Sequence, residues 1–201
     1  MWAVIGNPAL RAIGVRKVSL GLASGIIGSL IMLFGIETLG FGPGMLGMIF
    51  AIGGIFSVLD ALSAGSLTHR FGLGKTLTAG FQIWGATAFL IPLAHGPFLL
   101  AGAGLAAVQL FDFGVTIYEV NEMSLRRRIT PYRMLGRVNS SMEVNLLGAQ
   151  LASAVLGGIL AQLAGIRWAL AVGSCLMVAG GVWLLLSIVW RIGVVPESDV
   201  S

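Results

Sequence analysis

The chain has 201 residues, 57% of them hydrophobic and 10% charged, with a mean hydropathy of +0.96. Soluble domains carry about 25% charged residues, so an ordinary water-soluble globule is excluded. A formal net charge of +4 would suit nucleic acid if the cations formed a patch, but their placement along the chain gives a different answer.

A helix crossing about 30 Å of hydrocarbon needs about 20 mostly apolar residues. Six stretches qualify: 18–36, 44–67, 76–94, 98–120, 138–163 and 168–190. Asn7-Pro8 has the pattern of an N-cap followed by proline at the first helical position, so the first helix is expected to begin near Pro8. Arg11, Arg16 and Lys17 then ride on its first turns, their long stems snorkelling to the interface. Gly40-Phe41-Gly42-Pro43-Gly44 breaks the first helix from the second. A loop with the sequence Gly65-Ser66-Leu67-Thr68-His69-Arg70-Phe71-Gly72-Leu73-Gly74-Lys75 follows the second span. His95-Gly96-Pro97 separates the third span from the fourth.

The fourth span carries Gln109, Asp112, Thr116, Glu119 and Glu122, at spacings that make one polar stripe on a helix. A carboxylate near the bilayer centre costs about 2.5–3.5 kcal/mol on insertion scales. The stripe therefore calls for a wet cavity or a partner charge, and Asp112, the deepest, becomes a candidate proton-coupling or cation-binding group, against a plain interhelical hydrogen bond. Arg126, Arg127, Arg128, Arg133 and Arg137 fill the next connection, Arg167 precedes the sixth span and Arg191 follows it. With Arg70 and Lys75 included, every cation except Arg167 falls on one side, which the positive-inside rule makes cytoplasmic, with both termini. Nucleic acid is thereby set aside as a partner in favour of the lipid bilayer. Residues 193–201 read as a short cytoplasmic tail, and no cleavable signal peptide is expected.

Several patterns carry no chemistry. Gly102-Ala103-Gly104-Leu105-Ala106-Ala107 matches a dinucleotide fingerprint but lies inside a membrane helix, with no strand before it. The Asn139-Ser140-Ser141 sequon faces the cytoplasm. One cysteine, Cys175, allows no internal disulfide, and two histidines without partner cysteines make no zinc site. No cofactor is implied, no phosphate-binding glycine loop suggests ATP drive, and no catalytic triad or paired carboxylates suggest an enzyme. Small residues four apart, as in Gly21/Gly25/Ser29 and Ser153/Gly157, serve close helix packing.

Two motifs carry a resemblance. Gly65, Leu67, Arg70 and Gly72 match in register the loop between the second and third helices of each half of the major facilitator superfamily, with His69 at its acidic position and Lys75 one place late. Thr116-Ile117-Tyr118-Glu119-Val120-Asn121-Glu122-Met123-Ser124-Leu125-Arg126, then Thr130-Pro131 and Leu135-Gly136-Arg137-Val138-Asn139, is similar to the junction of helices ten and eleven in exporters of the enterobactin-exporter type. Glu119 and Glu122 stand where that branch has amides, Arg127 replaces a glutamine, Glu143 an arginine and Leu151 a proline.

The resemblance implies an all-α membrane protein of six transmembrane helices, arranged as two three-helix inverted repeats, 18–94 and 98–190, within a single domain of 1–201. It corresponds to the C-terminal half of a twelve-helix transporter. By that likeness the chain would export small molecules by proton antiport, with a second six-helix half, a homodimer partner or separate chain, enclosing the cavity. A split, non-transporting membrane subunit is the alternative. Gln109, Asp112, Thr116 and Glu119 would line the cavity. Gly65, Leu67, His69, Arg70, Gly72 and Lys75 would form a conformational motif, with Glu143 able to pair with Arg70 or His69 in a compensated swap. Arg16, Lys17, Glu122, Glu143, Pro131, Gly136 and Arg137 would sit at a cytoplasmic gate.

Overall fold

The computed structural model describes residues 8–95, 98–110 and 113–187. Every regular element among them is helical: α1 (Pro8–Leu33), continued by a π-turn (Phe34–Thr38), α2 (Pro43–Phe71), α3 (Leu73–Ala88), α4 (Leu90–Leu93), α5 (Phe98–Leu110), α6 (Phe113–Ile129), α7 (Tyr132–Ala164) and α8 (Ile166–Leu186). Four stretches are long and apolar enough to cross a membrane: Leu10–Thr38, Gly74–Leu93, Tyr132–Ala164 and Ile166–Leu186. Pro43–Leu59 and Leu100–Gln109 are shorter apolar helical stretches. In lipid only closed backbone hydrogen bonding is tolerable, and these helices supply it.

The helices reach beyond the predicted spans. α1 starts at Pro8, and α2 runs to Phe71, so the segment 65–75 is no loop: Gly72 alone separates α2 from α3. Its φ of +87° with ψ of 152° is a conformation essentially confined to glycine. Gly165, at φ +95° and ψ 152°, makes the same one-residue corner between α7 and α8. Thr76 Oγ1 donates to the Leu67 carbonyl at 3.3 Å, tying α3 back to α2 across the first corner.

α1 lies against α7 and α8, α3 against α6 and α8, and α2 against α5 and α6. The α1–α7 seam depends on small residues. A Cβ on Gly25 would overlap Ser153 Oγ and the Gln150 carbonyl, and one on Gly21 would come within 2.9 Å of the Ala149 Cβ. Ser153 Oγ donates to the Gly21 carbonyl at 3.2 Å in that gap. Two core clusters stack along the bundle. Ile13, Leu77, Phe81, Tyr118, Leu125, Met142 and Leu184 belong to one, and Leu30, Phe34, Phe41, Leu46, Ile91, Leu105 and Leu170 to the other.

Pro92 shows how the third helix is broken and repaired. Proline has no N–H to offer the carbonyl four residues back, which is that of Ala88, and α3 ends there. The buried Ser174 Oγ donates to this carbonyl at 3.0 Å, while Arg167 Nη1 donates to the Pro92 carbonyl at 2.9 Å. Arg167, the one cation predicted on the far side, is thus a helix-end cap at the opposite end of the bundle from Arg16, Lys17 and Arg126, its guanidinium 5.2 Å from the centre of the Phe34 ring.

Candidate functional site: an ionic cluster at one end of the bundle

Of the residues expected at a gate, Arg16 and Lys17 of α1, Glu122 of α6 and Glu143 of α7 converge. Arg16 and Lys17 are consecutive on α1, about 100° apart around its axis, yet both are buried. Two neighbours must therefore enclose this end of the helix, one on each side. Lys17 Nζ forms an ion pair with Glu143 of α7 and lies 4.0 Å from Glu122 of α6. Glu122, 2% exposed, also meets Arg126 one turn further on, Nε to Oε1 at 2.8 Å. That contact is ionic and off the angle of a good hydrogen bond. An acid four residues before a base is the favourable order on a helix.

Arg16 is solved differently. It is 1% exposed, and its guanidinium lies 3.3 Å from the centre of the Tyr118 ring and 3.8 Å from that of Phe81. The two rings are themselves 5.5 Å apart, centre to centre. Its Nε and Nη1 have no hydrogen-bond partner among the described residues. A desolvated guanidinium gains from a ring face, so α6 and α3 hold this charge with π-systems where a carboxylate would be usual.

A cavity of about 280 Å³ opens beside these groups, lined by Arg16, Lys17, Glu119, Glu122, Arg126 and Glu143 together with aliphatic side chains and Met123. Three cations and three carboxylates share its wall. Of these, Lys17, Arg126, Glu122 and Glu143 are held by pairing.

The predicted stripe on the fourth span is rotated. On α6 the buried face is Tyr118, Asn121, Glu122, Leu125 and Arg126, the i, i+3, i+4 pattern of a packed helix. Glu119 is exposed and makes no ion pair among the described residues. Gln109 is buried on α5, and Thr116 is partly buried. Asp112 lies outside the described residues. Glu143 does not take part in the anticipated swap with Arg70 or His69, because its carboxylate is engaged by Lys17. His69, Arg70 and Lys75 are exposed, with the Arg70 guanidinium 5.5 Å from the centre of the Phe71 ring. Pro131 is the N-cap residue of α7, and Gly136 and Arg137 are exposed on its first turns. Arg126, Tyr118 and Phe81 are members that sequence reasoning did not single out. Arg126 was one of a run of arginines, and only the register of α6 selects it. Thr68 Oγ1 donates to Asn121 Oδ1, joining the segment 65–75 to the same face of α6.

Compared with known proteins, the chain is similar to an uncharacterized MFS-type (major facilitator superfamily) transporter of Sinorhizobium fredii, at 26% identity over 207 residues. No protein-family model matches the chain, and no solved structure matches it. The alignment takes in 98% of this chain and 46% of the relative, so the chain spans about half the length of that transporter.

Proposed function

We infer that the chain is a membrane transporter of the major facilitator kind and that the α1–α6–α7 ionic cluster is its gate on the cytoplasmic side. The observation that carries this reading is the burial of Arg16, Lys17, Glu122 and Arg126 together at one end of a bundle of apolar helices. Ionisable groups are costly in such a bundle and are kept where they serve transport or coupling. Likeness to an MFS-type transporter over nearly the whole chain supports it, and that relative is no enzyme. Lys17 bridges Glu143 and Glu122, so the pairs fasten α1 to α6 and α7 in this state, and opening would break them. Export of small molecules in exchange for protons completes the reading, with Asp112 as the coupling carboxylate by its place on the fourth span. The second motif and its exporter-type likeness support that direction.

Ethidium is a suitable probe cargo. Vesicles containing the purified chain and loaded with ethidium should lose the dye faster than protein-free vesicles under an imposed pH gradient, and nigericin should abolish the difference. Lys17→Glu should stop this efflux, and adding Glu143→Lys should restore it by re-forming the pair with reversed polarity. Asp112→Asn should uncouple efflux from the gradient. Efflux unaffected by Lys17→Glu would remove the gate.

One observation favours a second reading, a membrane subunit that does not transport alone: the chain spans 46% of its relative. A particle mass near 20.9 kDa in mild detergent, after subtraction of bound detergent, supports the subunit reading. A mass near twice that, or a complex with another six-helix chain, supports a two-half transporter.

A further inference from the structure

Between the charged end and the Arg167 end, α1, α3, α4, α5 and α8 leave a second cavity, of about 190 Å³. Its wall is mostly aliphatic, with Trp84 and Met177, and Gln109 and Ser24 are the residues with polar, non-aromatic side chains in its lining. No charged side chain lines it. Ser24 Oγ already donates to the Gly21 carbonyl at 3.3 Å, which leaves its lone pairs as acceptors only. Gln109 is 8% exposed, and no hydrogen bond of its amide is found among the described residues. An amide carries two donors and two acceptor sites, and leaving them all unmet in an apolar bundle is unfavourable. Gly53 of α2 leaves room for this side chain: a Cβ there would lie 2.7 Å from Gln109 Nε2. Gly28 stands at the mouth, exposed, and a Cβ there would meet nothing within 4 Å.

We propose that this cavity binds a small uncharged aromatic molecule carrying one hydrogen-bonding substituent, its ring against Trp84 and Met177 and its substituent on the Gln109 amide. An apolar cavity of about 150 Å³ holds benzene, so the volume here fits one such ring with one small substituent. Sulfur and indole are favourable neighbours for a ring. An anion or cation finds no counter-charge in the wall, and an acyl chain leaves the amide unmet. The site does not depend on the path probed with ethidium, which is a cation, and its binding is measured without transport.

The test titrates the purified full chain in detergent with 4-fluorophenol and with 4-fluorotoluene, following the fluorine resonances against empty micelles. Saturable binding of 4-fluorophenol is expected, about tenfold tighter than that of 4-fluorotoluene, the difference one buried hydrogen bond makes. Gln109→Leu should erase the preference and keep 4-fluorotoluene binding. Gly28→Leu, which fills the mouth from an open position, should abolish both with the unfolding temperature unchanged. Equal affinity of the two probes for the wild-type chain would mark an acyl-chain pocket and overturn the proposal, as would absence of saturable binding or a preference that survives Gln109→Leu. Binding as expected without any ethidium efflux would favour the subunit that does not transport alone and leave the site standing.

Discussion

Glu122 and Glu143 both touch Lys17, yet they differ in what their loss would expose. Glu143 is 49% exposed, and a solvent-facing pair is worth about 0–1 kcal/mol. Glu122 is enclosed between Lys17 and Arg126. Removing it leaves the buried Arg126 without a carboxylate and Lys17 with Glu143 alone, and an uncompensated buried charge typically costs about 3–5 kcal/mol. Glu122→Ala should therefore lower the unfolding temperature in detergent markedly, and Glu143→Ala hardly at all; equal shifts would contradict the burial difference. Arg16 invites a separate comparison. Arg16→Lys keeps the charge but loses the flat guanidinium between Tyr118 and Phe81, and should cost about 0.5–2 kcal/mol in the same assay. From the sequence, the polar positions of the fourth span were visible, but their rotation was not. A spacing of three leaves two residues about 60° apart on a helix, which was enough to turn Glu119 outward while Glu122 is enclosed. Glu143's partner was misread for a related reason. Lys17 is 126 residues away, and nothing in one helix's sequence says which neighbour it faces.

At the scale of the helices, hydropathy located the apolar stretches because lipid demands them, but it set their ends too early. α6 continues through Ser124-Leu125-Arg126, and α7 begins at Tyr132, since a helix leaving the membrane keeps its own hydrogen bonds. The segment 65–75 looked like a loop on account of its glycines, although only Gly72 needed to be one. The spacing of small residues, by contrast, was readable, and Gly25 and Ser153 do meet at the α1–α7 seam. Gly25→Val should destabilise by about 1–3 kcal/mol through overpacking. Gly148→Ala, on the same helix pair but open around its Cβ, should be neutral or stabilising by up to about 1 kcal/mol. Thermal unfolding of the two variants side by side checks the seam. Ser174→Ala leaves the Ala88 carbonyl without its donor beside Pro92 and should cost about 1 kcal/mol; a matching loss from Ser187→Ala, at the C-cap of α8, would argue against a special role.

For the molecule as a whole, Arg16, Lys17 and Arg126 gather at one end and Arg167 caps the other, the arrangement on which the cytoplasmic orientation is proposed. In a Cys175→Ser background, Tyr132→Cys should react with a membrane-impermeant maleimide only in inside-out vesicles. Glu37→Cys should react only in right-side-out vesicles. Reversed labelling would invert the assignment and with it the gate.

The pairing of Lys17 with Glu143 also sets a timetable for biogenesis. Lys17 leaves the ribosome 126 residues before its carboxylate exists, an interval of roughly 6–25 s at about 5–20 residues per second. Throughout that wait the first helix enters the bilayer with two unmatched cations, which anchor it at the aqueous surface and resist its sinking further. Only when the seventh helix follows is the anchor withdrawn into the bundle, so a late stage of assembly, before α8 closes on α1, is a neutralisation, and a chain stalled before residue 143 should remain loosely held and open to membrane proteases.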